Sequence, residues 1–247
     1  GLIEAGCTLA SAYPGTPSTE ILQAVVNFRD LAIDPLHIEW SVNEKVAFEV
    51  ALAHSYTGKR AAVAMKQVGL NVAADPFMRT AYLGVKGGLL LIVADDPGPH
   101  SSQNEQDSRQ FAQFARVPVL DPASPAEARA MVAEAFALSE ELELPVMLRP
   151  TTRICHARQN LSPGEVLALG RTADFRKEPS RWAATPAFLP SLHRSLNGKI
   201  DRLAMDERFR PQFTPGDGSF PGVCVVAAGI CFATVADLLE AQGLLGR

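Results

Sequence analysis

The sequence predicts an α/β fold, a mostly parallel sheet with helices on both faces. Three observations carry this. Short apolar segments alternate with helical patterns of about 10–18 residues from the start of the chain to Pro150. One segment, Leu89 to Ala94, is apolar at every position, as suits a parallel strand covered on both faces. Helix-capping residues (Ser18, Asn43, Ser124) stand where the helical patterns begin.

Thr8 to Tyr13 is the first strand, closed by Pro14 and Gly15. Ser18 caps a helix from Thr19 to Phe28, with Ile21, Leu22, Val25, Val26 and Phe28 largely on one face. His37 to Ser41 is the second strand. Asn43 caps a helix in which Val46, Ala47, Val50, Ala51 and His54 recur at helical spacing, and Gly58 ends it. Arg60 to Lys66 is the third strand, followed by a glycine turn at Gln67, Val68 and Gly69 and a helix to about Tyr82. After the strand Leu89 to Ala94 comes a helix from Asn104 to Ala115, with Phe111, Phe114 and Ala115 on one side. Val117 to Leu120 is a strand, Ser124 caps a long helix through Leu142, and Val146 to Arg149 is the last strand of the block. Crossovers between such strands are right-handed.

Past Pro150 the alternation decays. Residues 156–222 are rich in Pro, Arg, Ser and Gly, with aromatic islands at Trp182 and Phe188. They read as a linker with one helix, Leu189 to Met205, lying across the first domain. Val223 to Ala228, Gly229, and Ile230 to Ala241 read as strand, turn and helix, the opening of a second α/β domain that the end at Arg247 leaves incomplete. The expected division is therefore 1–155, 156–222 and 223–247.

Composition narrows the function classes. Hydrophobic residues make up 47% and charged residues 20%, so the chain can bury an ordinary globular core. Lys and Arg number 23 against 27 Asp and Glu, a net charge of −4 with no basic run, which argues against nucleic-acid binding. No apolar stretch reaches the roughly 18–20 residues that span a bilayer. The cysteines, Cys7, Cys155, Cys224 and Cys231, form no C-x-x-C pair and are expected to be buried thiols of a reducing compartment. A cytoplasmic protein is the expectation.

Ligands of open parallel sheets bind outside the carboxyl ends of the strands. Five segments fall there: Pro14 to Ser18, Ser41 to Glu44, Gln67 to Asn71, Asp95 to His100, and Thr151 to Arg153. The first three can converge on one crevice. Neither G-x-G-x-x-G nor a P-loop occurs, which disfavours a nicotinamide or ATP site in this block. Glu44 stands in the first turn of a helix between apolar neighbours, where the helix N-terminus favours a carboxylate. It is either a solvated helix-start residue or a carboxyl poised for proton exchange. Thr16, between two prolines, is held in few conformations. Gly69 either ends a strand or permits close backbone approach to a ligand.

Three stretches resemble a known family: A-Y-P-G-T-P-S-T-E-I (Ala12 to Ile21), E-W-S-V-N-E-K-V-A (Glu39 to Ala47) and M-K-Q-V-G-L-N-V-A-A-D-P (Met65 to Pro76). They are similar to the large (alpha) subunit of indolepyruvate ferredoxin oxidoreductase, of the thiamine-diphosphate-dependent 2-oxoacid:ferredoxin oxidoreductases. The resemblance continues through Q-N-E-Q-D-S-R (Gln103 to Arg109), covers about residues 1–155, and extends more loosely to V-A-A-G-I-C-F-A-T (Val226 to Thr234). It implies that 1–155 is the pyrimidine-binding domain of a thiamine enzyme. Glu44 then matches the glutamate that contacts N1′ of the aminopyrimidine. The 4′-amino group removes the cofactor's C2 proton only as its imino tautomer, and a carboxyl group bonded to N1′ favours that tautomer. Pro14 and Thr16 match the turn near the thiazolium and the 2-oxo acid. Gly69, Leu70 and Asn71 match the turn along the pyrimidine. Arg109 is a candidate for the substrate carboxylate, against the plainer reading of a solvated or ion-paired arginine.

The resemblance further implies oxidative decarboxylation of an aryl 2-oxo acid with coenzyme A. Electrons would pass through iron–sulfur clusters to ferredoxin, with a smaller beta-type subunit or domain as partner and an oligomeric assembly. Thiamine enzymes hold Mg²⁺ and the diphosphate through a G-D-G motif followed by an Asn. Gly216-Asp217-Gly218 is rejected as that motif, because no Asn follows and Pro221 breaks the helix that should come next. Asp95, Asp96 and Asp107 read as turn-formers rather than metal ligands. This stretch alone is expected to hold half a cofactor site. Two rivals stay open: another thiamine-dependent 2-oxoacid oxidoreductase or decarboxylase, and a non-catalytic α/β scaffold for subunit association.

Overall fold

In the computed structural model, which describes residues 1–213 and 224–244, six strands form one all-parallel sheet in the order β2-β1-β3-β4-β6-β5. The strands are β1 (Leu9–Ala12), β2 (His37–Trp40), β3 (Ala61–Lys66), β4 (Leu89–Ala94), β5 (Val119–Leu120) and β6 (Val146–Leu148). Between them run α1 (Thr19–Asn27), α2 (Glu44–Tyr56), α3 (Gln67–Val72), α4 (Ala74–Leu83), α5 (Ser108–Ala115) and α6 (Pro125–Leu142). After β6 come α7 (Thr152–His156), α8 (Pro179–Trp182), α9 (Leu189–Ala204) and α10 (Gly229–Ala241). The α/β class and the parallel sheet expected from the alternation are what the chain adopts.

The central strands explain the apolar run. Every residue of β3 and β4 is buried, with Val63 opposite Leu91 and Met65 opposite Val93. Burying a leucine-sized side chain contributes about 1.5–3 kcal/mol, so these two strands anchor the core. Two of the three cap residues act as read. Asn43 Oδ1 accepts from the Val46 N–H at 2.9 Å, and Ser124 Oγ accepts from the Glu127 N–H at 3.1 Å. The third does not: the Ser18 hydroxyl donates to the Gly15 carbonyl at 2.7 Å, turning the chain ahead of α1 instead of capping it.

Four local expectations are corrected. Gln67, Val68 and Gly69 make no turn but begin α3 directly after β3, because Gly69 adopts helical backbone here. Residues 104–107 are not helical: Asp107 accepts the Arg109 N–H at 3.1 Å and starts α5 at Ser108. Phe114 does not share a core face with Ala115, being 81% exposed. Residues 224–228 form no strand; they find no sheet edge to pair with and lie mostly exposed. Of the cysteines only Cys7 is fully buried, its thiol pushed up to about 12 by desolvation; Cys224 and Cys231 are exposed. The rejected Gly216-Asp217-Gly218 lies outside the described residues.

Residues 157–178 run as an extended strap. The Gly164 N–H donates to Glu4 Oε1 at 2.7 Å, the Leu169 N–H to Asp34 Oδ2 at 2.8 Å, and Arg171 Nη1 to Glu140 at 2.5 Å. Trp182 of α8 packs on Tyr56 of α2, with ring centroids 4.7 Å apart. Helix α9 lies against α4 through Leu196 and a Tyr82–His193 edge contact. Helix α10 begins where Gly229, at φ +56°, rests on the Asp121 carboxyl; a β-carbon there would fall 2.7 Å from Asp121 Cγ.

Candidate functional site

The strand order reverses between β1 and β3: the chain first steps from β1 to β2 on one side, then places β3 on the other. Such a switch point leaves a crevice at the carboxyl ends of the two strands. The turns after β2, β1 and β3 (residues 41–43, 13–18 and the start of α3) lie side by side there.

Glu44 is the first residue of α2. The Asn43 cap fixes its start, and the Ser11 hydroxyl of β1 donates to the Ala47 carbonyl at 2.7 Å, tying the helix to the sheet. Glu44 is 9% exposed, yet its carboxylate has no hydrogen-bond or ion-pair partner among the described residues. Packed against it is Gly69 of α3. A β-carbon at position 69 would lie 2.6 Å from Glu44 Cγ and 2.9 Å from Cδ, so any larger residue would push the Glu44 side chain out of this position. The next orphan is Gln67, 1% exposed: its Nε2 donates to the Asn104 carbonyl at 3.4 Å, while its Oε1 is buried without a partner. Leaving a buried acceptor such as Gln67 Oε1 unmet costs about 1–3 kcal/mol, which a ligand donor here would relieve.

The proline turn closes the other wall. Pro14 and Thr16 are exposed at its tip, and Gly15 presses on Lys66, whose Cδ would sit 2.8 Å from a β-carbon at 15. The Thr16 carbonyl accepts the Ser101 hydroxyl at 3.4 Å. The 97–107 loop is thereby drawn over the crevice. Asp96 organises it, accepting from the Ser101 N–H (2.8 Å), the Ser102 hydroxyl (3.0 Å) and the Thr152 hydroxyl (2.7 Å). Burial alone would raise this carboxyl; the hydrogen bonds outweigh burial and hold it down to about 2.

The structure thus sets the turn of Pro14 and Thr16 against Lys66 and puts Glu44 in contact with Gly69, on neighbouring turns at the carboxyl ends of β1, β2 and β3. It separates the others. Because α3 is a helix, successive side chains point about 100° apart: Leu70 is fully buried in the core and Asn71 is exposed. Arg109 points toward the far side of the sheet, where its guanidinium holds Asp107 at 2.8 Å and Asp121 at 3.1 Å. A second switch point between β4 and β6 is filled there by Arg149, which binds the buried Asp95 at 2.7 Å, while Ser108 also donates to Asp95. Burial pushes the Asp121 carboxyl up against the pull of Arg149 and Arg109. Lys66 escaped the sequence reading, and Gln67 entered it only as the first residue of the segment Gln67 to Asn71; the signal for both was a polar pair directly after the apolar run Ala61 to Met65.

An aminopyrimidine offers amino N–H donors, which the unmet Gln67 Oε1 suits, and a ring nitrogen, which accepts and so pairs with Glu44 through a proton held between them, beside a helix face that Gly69 leaves without a side chain. The residues present fit that half of thiamine diphosphate. Among the described residues no cluster of His, Cys, Asp or Glu suits a metal ion, and no helix is long and apolar enough to cross a membrane.

Comparison with known proteins points the same way. Residues 1–192 match the family described as pyruvate flavodoxin/ferredoxin oxidoreductase, thiamine diphosphate-binding. The chain is 44% identical over 245 residues to the indolepyruvate oxidoreductase subunit IorA of Methanothermobacter thermautotrophicus, covering 98% of this chain and 39% of that one. It is 42% identical over 250 residues to the subunit of the same name from Thermococcus kodakarensis, covering 99% and 38%. The chain therefore spans about two-fifths of the length of these curated relatives. Among solved structures, the 2-oxoglutarate:ferredoxin oxidoreductase of Magnetococcus marinus matches with a TM-score of 0.65 at 17% identity, over 99% of this chain and 50% of that one, a likeness of fold.

Proposed function

From the premise that this chain belongs to the thiamine-diphosphate-binding family of pyruvate flavodoxin/ferredoxin oxidoreductases, we propose that it supplies the pyrimidine-binding half of the cofactor site in an indolepyruvate-type 2-oxoacid:ferredoxin oxidoreductase. The reaction is oxidative decarboxylation of an aryl 2-oxo acid to its acyl-CoA, with electrons passing through iron–sulfur clusters to ferredoxin. The observation that carries the reading is Glu44, buried as a residue and without a side-chain partner among the described residues, against Gly69 at the switch point. The names of the relatives at 41–44% identity support the aryl substrate. The division into 1–155, 156–222 and 223–247, the Mg²⁺ and diphosphate held by other parts of the assembly, a smaller partner subunit, an oligomer and a cytoplasmic location go with this reading.

When bound, thiamine diphosphate supplies the acidic carbon and the electron sink. Glu44 then holds a proton at ring atom N1′, in a position fixed by the Asn43 cap and by the Ser11 bond to α2. Gly69 and Gln67 bound the space the ring occupies, with Gln67 Oε1 free to accept from it. Thr16 faces the substrate from the proline turn. Arg109 already holds Asp107 and Asp121, and a substrate carboxylate would compete with both for its guanidinium.

The test is turnover by the holoenzyme with a panel of 2-oxo acids, followed by viologen reduction, together with calorimetric titration of thiamine diphosphate and Mg²⁺. Faster turnover of indolepyruvate than of pyruvate or 2-oxoglutarate supports the aryl assignment. Preference for an aliphatic acid replaces it with the broader family activity, and no cofactor binding at all leaves the scaffold reading.

A further inference from the structure

Lys66 ends β3 at the switch point and is 9% exposed, yet no carboxylate among the described residues lies within ion-pair distance of it. Its ammonium carries three donors, and its one protein partner is the Ser101 carbonyl at 3.0 Å. The neighbouring acids are taken: Asp95 by Arg149 and Ser108, Asp96 by Ser101, Ser102 and Thr152. Its methylene stem runs beneath Gly15, which has no side chain to obstruct it, and Ser101 joins it to the Thr16 carbonyl. A buried cation without a counter-ion is costly unless an anion arrives. The next residue, Gln67 at the start of α3, leaves its buried Oε1 without a partner.

We propose that Lys66 binds the carboxylate of the 2-oxo acid, in place of Arg109, and so fixes which end of the substrate lies against the proline turn. This rests on the thiamine-dependent reading above and adds the residue that recognises the substrate's charge. Lys66 forms no bond to the reacting carbon; it orients the acid and makes the site reject uncharged analogues.

The experiment compares wild-type holoenzyme with K66Q and K66R, titrating indole-3-acetate and its neutral amide, indole-3-acetamide, by calorimetry alongside thiamine diphosphate. In K66Q the acetate should weaken about ten- to a hundredfold, with a matching rise in KM for the 2-oxo acid. The acetamide and the cofactor should bind as in wild type, and K66R should recover most of the loss. Equal weakening of acetate and acetamide would overturn the proposal, since Lys66 would then only hold the Ser101 loop. Weakening of the cofactor alone would also overturn it, assigning Lys66 to the diphosphate, as would acetate binding unchanged in K66Q or absent from the wild type. Failure of the wild type to bind thiamine diphosphate, with acetate binding still dependent on Lys66, would instead strike the parent reading.

Discussion

Glu44 and Gly69 touch across the switch point so closely that a methyl group at position 69 would lie 2.5 Å from the glutamate's Oε1. Helix α3 therefore presents backbone without a side chain to the carboxylate at this position. G69A has no room without moving the N-terminus of α2 or the Glu44 side chain. The expected cost is about 1–3 kcal/mol in thermal denaturation, as for other overpacked sites. Thiamine diphosphate should bind at least tenfold more weakly by calorimetry.

The Asp96 hub sets a limit at low pH. Its carboxyl is held down to about 2 from an ordinary 3.8, so the charged form stabilises the fold above pH ~4. That contribution, about 2 kcal/mol for the whole shift, is lost as pH falls from ~4 through ~2. Hydrogen exchange at the Ser101 amide, which donates to Asp96, should quicken over that window, beyond the chemical trend of exposed amides. D96N should show fast exchange at neutral pH as well, with a lower kcat in the holoenzyme because the loop over the crevice loosens.

Glu140 fastens the strap to the sheet. Burial would raise its carboxyl, but Arg60 and Arg171 together hold it down to about 2. E140A leaves Arg60, whose side chain is 10% exposed, without its anion. A loss of about 2 kcal/mol and faster proteolytic cutting within residues 157–178 are expected. Cofactor affinity should not change, because these contacts lie at the amino end of the strands. Denaturation curves and timed proteolysis check both.

Local rules made much of this architecture legible. The all-apolar β4 fell where read, and so did the bounds of α6, because Ser124 and Pro125 mark its start and its periodicity runs unbroken to Leu142. Glu44 and Thr16 were legible as residues of convergent turns. What failed were choices that tertiary packing decides. Gly69 reads as a turn glycine, yet its role is contact with Glu44 from within a helix. A lysine at a strand end reads as solvated, and only the cover of the proline turn and the 97–107 loop buries Lys66. For Arg109 the ion-paired alternative is the one seen, but its partner Asp121, twelve residues on, is brought beside it only by β5. The apolar run after Pro221 reads as a strand, but a strand needs an edge to pair with, and residues 224–228 have none.

The decisive measurement follows the cofactor's C2 proton by NMR in deuterated buffer, in holoenzyme carrying Glu44 or E44Q. Glutamine keeps the size and the fold but cannot hold the shared proton. Exchange should slow by about 10²–10⁴-fold in E44Q, with thiamine diphosphate still bound and the melting temperature unchanged. Equal exchange rates in the two proteins would remove Glu44 from the chemistry and contradict the assignment of this crevice to the pyrimidine ring.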